Sequence, residues 1–272
     1  MFMIELIQAF ILGVVEGVTE FLPISSTGHL IVAEKAIGFK DNHDLFTVVI
    51  QVAAIAAVVW FYRRDILAKT LGLFKHDKAA LNFWKIMVIG TIPAGIFGLL
   101  LDKSMNSITT PLVVAIMLIL GGIVLWVVDR KPVTRHDAPV QLEHITNKQA
   151  LLIGLGQALA IVPGVSRSGA TIVSGLLVKL NRPTATAFAF YLSIPVMVMA
   201  SGYKMLKYHA EIANLPGGWP ALAVGLLAAF VTALLAVSWL LRYIANHNFK
   251  PFAYYRIAAG VVILALLGLN WL

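Results

Sequence analysis

Residues 16–29 read Glu16-Gly-Val-Thr-Glu20-Phe-Leu-Pro-Ile-Ser-Ser-Thr-Gly-His29 and interrupt an otherwise apolar amino-terminal segment. Two acids, a proline, four hydroxyl side chains, two glycines and a histidine fall within this stretch. Acidic side chains inside a membrane segment are costly, and where they occur they usually serve a function. The stretch therefore predicts a functional site inside a helical membrane segment.

The composition of the whole chain places this stretch in a membrane protein. Of 272 residues, 60% are hydrophobic and 12% are charged, whereas soluble domains carry roughly 25% charged residues. Apolar runs recur along the full length, and a membrane helix needs about 20 apolar residues. We predict an all-α polytopic membrane protein in which residues 1–272 form a single membrane domain.

Ten apolar segments are separated by glycine, proline and charge clusters. In the first half they lie near residues 3–22, 26–38, 45–62, 83–101 and 111–128. In the second half they lie near residues 149–162, 167–180, 185–205, 220–241 and 251–271. The second segment of each half is short and follows a Pro-Ser break, which is typical of a helix that enters the bilayer and turns back.

Charge and cysteine content exclude several classes of function. The chain has no cysteine, which excludes disulfides and thiol catalysis. Its net charge of +8 is carried without a soluble basic module, so we expect contacts with anionic lipid headgroups and no nucleic-acid partner. The first segment lacks a basic start and carries acids, so we expect no cleavable signal peptide.

A second stretch resembles the first and predicts an internal repeat. Residues 157–171 read Gln157-Ala-Leu-Ala-Ile-Val-Pro-Gly-Val-Ser-Arg-Ser-Gly-Ala-Thr171. A shift of 141 residues pairs Gly13 with Gly154, Glu16 with Gln157, Ser25 with Ser166 and Gly28 with Gly169, and a shift of 135 residues pairs Trp84 with Trp219 and Gly90 with Gly225. We predict one repeat over about residues 1–140 and another over about residues 145–272.

The number of segments per repeat predicts their relative orientation. Each half would hold one re-entrant helix pair and three true spans, and an odd number of spans turns the second half over. The prediction is an inverted-topology repeat with two re-entrant helix pairs and about six transmembrane helices.

Loop charges predict which side of the membrane each loop faces. The loops at 63–82, 130–148 and 242–250 hold eleven basic residues, and the opposite loops hold five. Because basic loops stay in the cytoplasm, the richer side should be cytoplasmic. The first re-entrant loop would then start from the outside.

The acids Glu16 and Glu20 lie four residues apart, so a helix places both carboxylates on one face. Such a pair can share a proton, bind a divalent cation, or act as a base and the group that orients it. The alternative is that both acids lie near a helix end and reach water.

The hydroxyl residues after Pro23 occupy the predicted start of a helix. They can cap free amides there, and those amides form an anion site; we expect Ser25 to be the cap. Ser26 and His29 lie three residues apart on one face, which suits a serine nucleophile with a nearby histidine. Capping by the serines and an ordinary polar contact for His29 explain the pattern equally well.

Arg167 supplies the cation that the first stretch lacks. Its planar guanidinium matches phosphate oxygens in a bidentate way. A structural ion pair with Glu16 or Glu20 is the alternative, and it is compatible with phosphate binding when a ligand arrives.

At these residues the sequence resembles the undecaprenyl-pyrophosphate phosphatase family, also called the bacitracin-resistance protein family. The family's glutamate motif matches Glu16-x-x-x-Glu20, and its serine-histidine stretch matches Ser25-Ser26-Thr27-Gly28-His29. Its signature P-G-x-S-R-S-x-x-T matches Pro163 to Thr171 at every position. The likeness extends over essentially the whole chain.

The resemblance implies hydrolysis of undecaprenyl diphosphate to the monophosphate, which recycles the carrier lipid of peptidoglycan synthesis and confers bacitracin resistance. It also implies a site on the outer side of the bacterial inner membrane and dependence on Mg²⁺ or Ca²⁺. The expected partners are the lipid substrate and membrane lipids, and a homodimer is left open.

The expected site follows from these motifs. The catalytic residues are Glu16, Glu20, Ser26, His29 and Arg167, the phosphate-binding residues are Ser25, Thr27, Ser166, Arg167, Ser168 and Thr171, and the metal-binding residues are Glu16 and Glu20. Ser26 is the expected nucleophile, with His29 or a metal-activated water as alternatives. A transporter that flips a lipid phosphate is the rival function, because broken helices and intramembrane acids also occur in transporters. A structural scaffold would leave the acids without a purpose.

Overall fold

The computed structural model describes residues 2–41, 44–130, 140 and 142–272. Every regular element within these ranges is helical, which confirms the predicted all-α class. The helices of the first half are α1 (Phe2–Thr19), α2 (Ser26–Ile37), α3 (Leu45–Phe61), α4 (Arg63–Phe74), α5 (Lys78–Ile108) and α6 (Pro111–Val128).

The second half continues with five α-helices and three short 3₁₀ helices. The α-helices are α7 (Asn147–Ala158), α8 (Arg167–Leu177), α9 (Arg182–Lys207), α10 (Gly218–Ile244) and α11 (Lys250–Gly268). The 3₁₀ helices are Leu142–His144, Leu159–Ile161 and His209–Asn214. Each of the ten predicted apolar segments therefore corresponds to a helix.

The predicted loop at 63–82 is wrong, because α4 fills most of it and α5 begins at Lys78. Arg63, Arg64 and Lys69 make α4 too polar to be recognised as a membrane segment. The axis of α4 is bent by 71° from that of α3. Two basic residues of the predicted loop at 130–148, Lys131 and Arg135, lie outside the described residues.

Six described helices are long and apolar enough to cross a membrane, which confirms the predicted number. They are α1, α5, α6, α9, α10 and α11. Their membership differs from the prediction, since α1 was expected in a re-entrant pair and α3 as a span. Helix α3 has 17 residues and reaches the required length only together with α4.

Helices α2, α7 and α8 have 12, 12 and 11 residues, which is too short for a span. An irregular segment, called a helix break below, precedes each of two short helices: residues 20–25 precede α2, and residues 162–166 precede α8. The last residue of each break has the same unusual backbone conformation. Ser25 has φ 70° and Ser166 has φ 68°, a region that residues other than glycine adopt infrequently. The predicted shift of 141 residues pairs these two serines, so their shared conformation supports the repeat.

Two glycine contacts show how the halves pack. A methyl group on Gly13 of α1 would collide with the carbonyl of Gly225 in α10, and one on Gly154 of α7 would collide with the carbonyl of Gly90 in α5. The first helix of each half thus packs against a long helix of the other half. The predicted shifts pair these same glycines, which supports two interlocked repeats; their opposite orientation stays a prediction.

Candidate functional site

A cavity of about 150 Å³ lies between the two breaks. Both predicted motifs line it, and Ala160 from the 3₁₀ helix and Gln51 from α3 complete the wall. The motif residues in the lining are Glu20, Ser25, Ser26 and Thr27 from the first break and Pro163, Gly164, Ser166 and Arg167 from the second. The structure therefore brings the two distant motifs to one site.

Glu20 and Ser26 form the shortest polar contact in this cavity. The Ser26 hydroxyl donates to Glu20 Oε2 at 2.5 Å, and both residues are buried. Glu20 continues the turn of α1, since its amide donates to the Glu16 carbonyl at 2.9 Å, and Ser26 begins α2. A carboxylate in this position can accept the serine proton as the oxygen attacks.

Arg167 begins α8 and joins the second break to the first. Its Nη2 donates to Glu20 Oε1 at 3.1 Å, and its Nη1 donates to the carbonyl of Ala189 at 3.2 Å. The guanidinium also lies over the Phe21 ring, 5.4 Å from its centroid. Among the described atoms its Nε has no hydrogen-bond partner. The expected ion pair with Glu20 is present, and Arg167 lines the cavity at which a phosphate would bind.

Glu16 is fully buried, and within the described part of the chain neither of its carboxylate oxygens has a hydrogen-bond partner. A buried ionised carboxylate is costly unless it is paired or bound to a cation. Mg²⁺ is commonly held by one or two carboxylates together with substrate phosphates. Glu16 and Glu20, one helical turn apart, fit that arrangement.

No cluster of three or more histidine, aspartate or glutamate side chains within the described ranges suits a metal. A divalent cation at Glu16 and Glu20 would therefore need further oxygen ligands from hydroxyls, water or the substrate itself.

Ser25 and Ser166, the last residues of the two breaks, differ in the hydrogen bonds that their hydroxyls make. Ser166 caps α8, because its hydroxyl accepts from the amide of Gly169 at 3.1 Å. Ser25 makes no such side-chain bond at the start of α2, so the prediction that Ser25 is a cap is wrong. Its hydroxyl lies instead on the cavity wall, beside the exposed Thr27.

Ser168 and Thr171 are fully buried and lie outside the cavity lining. The Ser168 hydroxyl donates to the Leu22 carbonyl at 2.8 Å, which ties α8 to the first break. The Thr171 hydroxyl donates to the Arg167 carbonyl at 2.7 Å. The structure thus gives these hydroxyls backbone partners, and their role in phosphate binding stays a prediction.

His29 faces a different cavity. Its Nδ1 pairs with the Ser25 carbonyl at 2.8 Å and its Nε2 with the Tyr255 hydroxyl at 2.7 Å. Positions three apart on a helix are still separated by about 60° around its axis, and here the imidazole points toward α11. The structure therefore does not bring His29 into contact with Ser26.

The cavity at His29 is an apolar groove of about 580 Å³ between α1, α2 and α11, called the lateral groove below. Most of its wall is aliphatic, and His29 with Tyr255 forms a polar patch in it. The residues that line it are Val14, Val15, Val18, Thr19, Gly28, His29, Val32, Ala33, Ala36, Leu118, Tyr255, Ala258, Ala259, Val262 and Ile263.

Two polar residues were not predicted from the sequence, Gln51 and Arg256. Gln51 lines the cavity, and its Oε1 accepts from the Ser201 hydroxyl at 3.0 Å. Arg256 is almost completely buried in α11. Each of these two residues is a polar side chain inside a predicted apolar segment, and this was the signal that could have identified them. Neither residue lies in a recognisable motif.

Comparisons with known proteins identify relatives over nearly the whole chain. The family model described as Bacitracin resistance protein BacA matches residues 9–262. The chain is similar to Undecaprenyl-diphosphatase of Polaromonas naphthalenivorans, with 44% identity covering 96% of this chain and 94% of that protein. The Neisseria gonorrhoeae protein of that name is 43% identical, with 98% and 97% covered. Undecaprenyl-diphosphatase 1 of Burkholderia ambifaria is 46% identical, with 97% and 96% covered.

Proposed function

We propose that this chain, which belongs to the bacitracin resistance protein family, removes the terminal phosphate of undecaprenyl diphosphate in the cavity between its two helix breaks. Membership of the family makes the chain a multi-pass membrane hydrolase that acts on this lipid diphosphate and confers bacitracin resistance. The monophosphate that it releases is the carrier lipid of cell-wall synthesis. The assignment of the site and its chemistry is the proposal.

The observation that carries the proposal is the chain of contacts from Ser26 through Glu20 to Arg167. Ser26 Oγ attacks the terminal phosphorus and gives its proton to Glu20. Glu20 passes this proton to the departing lipid monophosphate as the bond from phosphorus to the bridging oxygen breaks, which restores the carboxylate. In the second step Glu20 takes a proton from water, which releases phosphate from the serine, and returns the proton to Ser26 Oγ.

Arg167 stabilises the negative charge of the phosphoryl oxygens during the transfer. Its guanidinium group, which lines the cavity, and the free amides that follow Ser25 and Ser166 are the donors available for these oxygens. Donors that are fixed before the reaction need no reorganisation during it, so they stabilise the transition state efficiently.

Glu16 and Glu20 would hold the divalent cation, Mg²⁺ or Ca²⁺. When bound, the cation neutralises charge on the diphosphate and polarises its phosphorus–oxygen bonds. Glu16 lies outside the cavity lining, one helical turn before Glu20. Its carboxylate oxygens have no hydrogen-bond partner in the described part of the chain, which supports this assignment.

The lateral groove would hold the prenyl chain. It is almost wholly apolar and borders Thr19 and Gly28, which adjoin the cavity residues Glu20 and Thr27. A lipid whose head lies in the cavity could therefore place its tail along α1 and α11.

His29 stays an alternative nucleophile, and metal-activated water is the other. Quenching during turnover with denaturant at mildly alkaline pH, where phosphoserine and phosphohistidine both survive, followed by mass spectrometry of the peptides, tests the assignment. We expect a phosphoryl group on Ser26, whereas a label on His29 alone would overturn the serine mechanism.

The outer, periplasmic side is the proposed location of the cavity, on the basis of the loop charges. Because the chain has no cysteine, a single Thr27→Cys variant tests this directly. We expect a membrane-impermeant maleimide to label it in intact spheroplasts, and labelling only after lysis contradicts the location. A homodimer stays a prediction.

Phosphate release by purified protein in detergent tests hydrolysis against transport. Detergent micelles have no second compartment, so a transporter alone releases nothing from undecaprenyl diphosphate. We expect release by the wild type and none above background by Ser26→Ala. Absence of release by the wild type would favour the transporter, which the broken helices and buried acids also suit.

A further inference from the structure

Arg256 contacts both helix breaks at once. Its Nη1 donates to the carbonyl of Pro23 in the first break at 3.3 Å. Its Nη2 lies 3.1 Å from the Gly164 carbonyl and 2.9 Å from the Val165 carbonyl, both in the second break. One side chain of α11 therefore joins the loop that leads to Ser26 with the loop that leads to Arg167.

The guanidinium of Arg256 also lies close to carbonyls of a third element, α6. Nε donates to the Leu118 carbonyl at 3.4 Å, and Nη2 lies 3.2 Å from the Met117 carbonyl. Backbone groups within a bilayer need partners inside the protein, and a broken helix leaves several carbonyls without one. The five N–H groups of arginine, arranged in a plane, suit a cluster of converging carbonyls better than any other side chain.

Arg167 is paired with the Glu20 carboxylate, whereas Arg256 has no acidic partner among the described residues. Arg256 is 1% exposed, and every contact found for it among the described residues is to a backbone carbonyl. A buried cation compensated only by carbonyl dipoles is costly to keep. A protein keeps such a buried charge where the charge holds a structure that the function requires.

Two glycines make room for this guanidinium. A methyl group on Gly121 of α6 or on Gly169 of α8 would overlap the Arg256 guanidinium nitrogens. Gly169 belongs to the second motif, in the P-G-x-S-R-S-x-x-T signature. The Arg256 side chain lies directly beside α8 at this position, which explains why residue 169 is a glycine.

We propose that Arg256 is a positioning residue that holds the two helix breaks in register, so that Ser26 and Arg167 address one phosphate. It is not a catalytic residue, because its donors are directed at carbonyls and it does not line the cavity. This inference rests on the proposed function. It predicts that loss of Arg256 separates the two halves of the site and leaves the rest of the fold in place.

Two variants of the full-length protein test the role, with Arg242→Met as the matched control for loss of an exposed arginine. For Arg256→Met we expect kcat to fall about 100-fold, since small displacements of reacting groups have effects of that size. KM should stay within about threefold, because the lipid tail is bound elsewhere. Arg256→Lys keeps the charge but has fewer donors, so it should rescue kcat in part.

A distance measurement separates positioning from a general effect on stability. Spin labels can be placed on the cysteine-free chain at the exposed positions Thr27 and Leu159, one at each break. A second pair at the exposed positions Ile7 of α1 and Leu227 of α10 reports on the helices away from the breaks. In Arg256→Met we expect the first distance distribution to broaden and the second to stay as in the wild type.

Three results would overturn the proposal. They are kcat within threefold of the wild type, a loss of activity with an unchanged distance between the breaks, and broadening of both label pairs together. If the wild type releases no phosphate, the proposed function fails, and the two label pairs still decide whether Arg256 joins the breaks.

Discussion

The two helix breaks end in the same backbone conformation and differ in the chemistry of their side chains. Each places a serine of positive φ, Ser25 or Ser166, immediately before a short helix. The first break carries the carboxylates of Glu16 and Glu20 and the Ser26 hydroxyl. At the positions equivalent to Glu16 and Ser26 the second carries Gln157 and Arg167.

Hydrogen bonding follows the same division. At the second break the hydroxyls of Ser166, Ser168 and Thr171 bond to backbone groups. At the first break the Ser26 hydroxyl bonds to a carboxylate, and Ser25 makes no capping bond with its side chain. The first break therefore supplies the reactive groups, and the second holds the Arg167 guanidinium in place. A complete site exists only where the two breaks meet.

Replacing a serine should have opposite effects on activity and stability at the two breaks. Ser26→Ala should lower kcat more than about 1000-fold, as the loss of a nucleophile does, with little change in stability. Ser168→Ala removes one of two hydrogen bonds to the Leu22 carbonyl, which keeps the Ile24 amide as a donor; the loss should cost about 0.5–1.5 kcal/mol and lower kcat less than tenfold. Phosphate release and thermal unfolding measure both. Equal losses of activity would contradict the division between the halves.

Arg167→Lys keeps the charge of the second break but removes the planar fork. We expect kcat/KM to fall about 100-fold, which is the size expected for a lost transition-state donor. Arg182→Lys is the matched control, since Arg182 pairs with Asp129 at 2.6 Å outside the cavity lining. It should affect the melting temperature more than the rate. A larger rate effect for Arg182 would place the functional cation elsewhere.

Glu16→Gln makes the first break resemble the second, where Gln157 stands. The change removes a buried carboxylate that has no partner among the described atoms, so the protein should melt at a higher temperature. Phosphate release should fall about tenfold at saturating Mg²⁺, and half-maximal activity should need more Mg²⁺. An unchanged Mg²⁺ dependence would count against Glu16 as a cation ligand.

Glu34 near the end of α2 has no acidic counterpart in α8, where the shift pairs it with Gly175. Burial, with the nearby charge of Asp41, raises the pKa of Glu34 from 4.5 to about 7. The folded state therefore binds the proton more tightly, and stability should fall as pH rises from about 4.5 to about 7.

Glu34→Gln should flatten this decline and leave turnover within about twofold, because Glu34 lies outside the cavity lining. Melting temperatures at pH 5 and pH 8 provide the measurement. The same slope in both proteins would show that another group controls the pH dependence.

The sequence predicted the apolar helices and the two motifs because long hydrophobic runs and intramembrane charges are local signals. It could not predict α4, whose basic residues look like a loop, nor the bend between α3 and α4. Contacts across the fold were also beyond reach. The pairing of His29 with Tyr255 and the bridge from Arg256 to both breaks depend on where α11 packs.

The choice between Glu20 and His29 as the partner of Ser26 shows the same limit. Spacing on one helix made His29, three residues away, a candidate partner, whereas the observed partner lies on the other side of the proline break. A break redirects the chain, so residues before and after it meet at distances that helical periodicity does not give.

A structure of the wild-type protein with vanadate tests the central claim most directly, because vanadate adopts the geometry of a phosphoryl group in transfer. The two breaks should bind it together, with the vanadium beside Ser26 Oγ and its oxygens hydrogen-bonded to Arg167. Vanadate bound to one break alone, or held at His29 in the lateral groove, would contradict the claim that the two halves form one site.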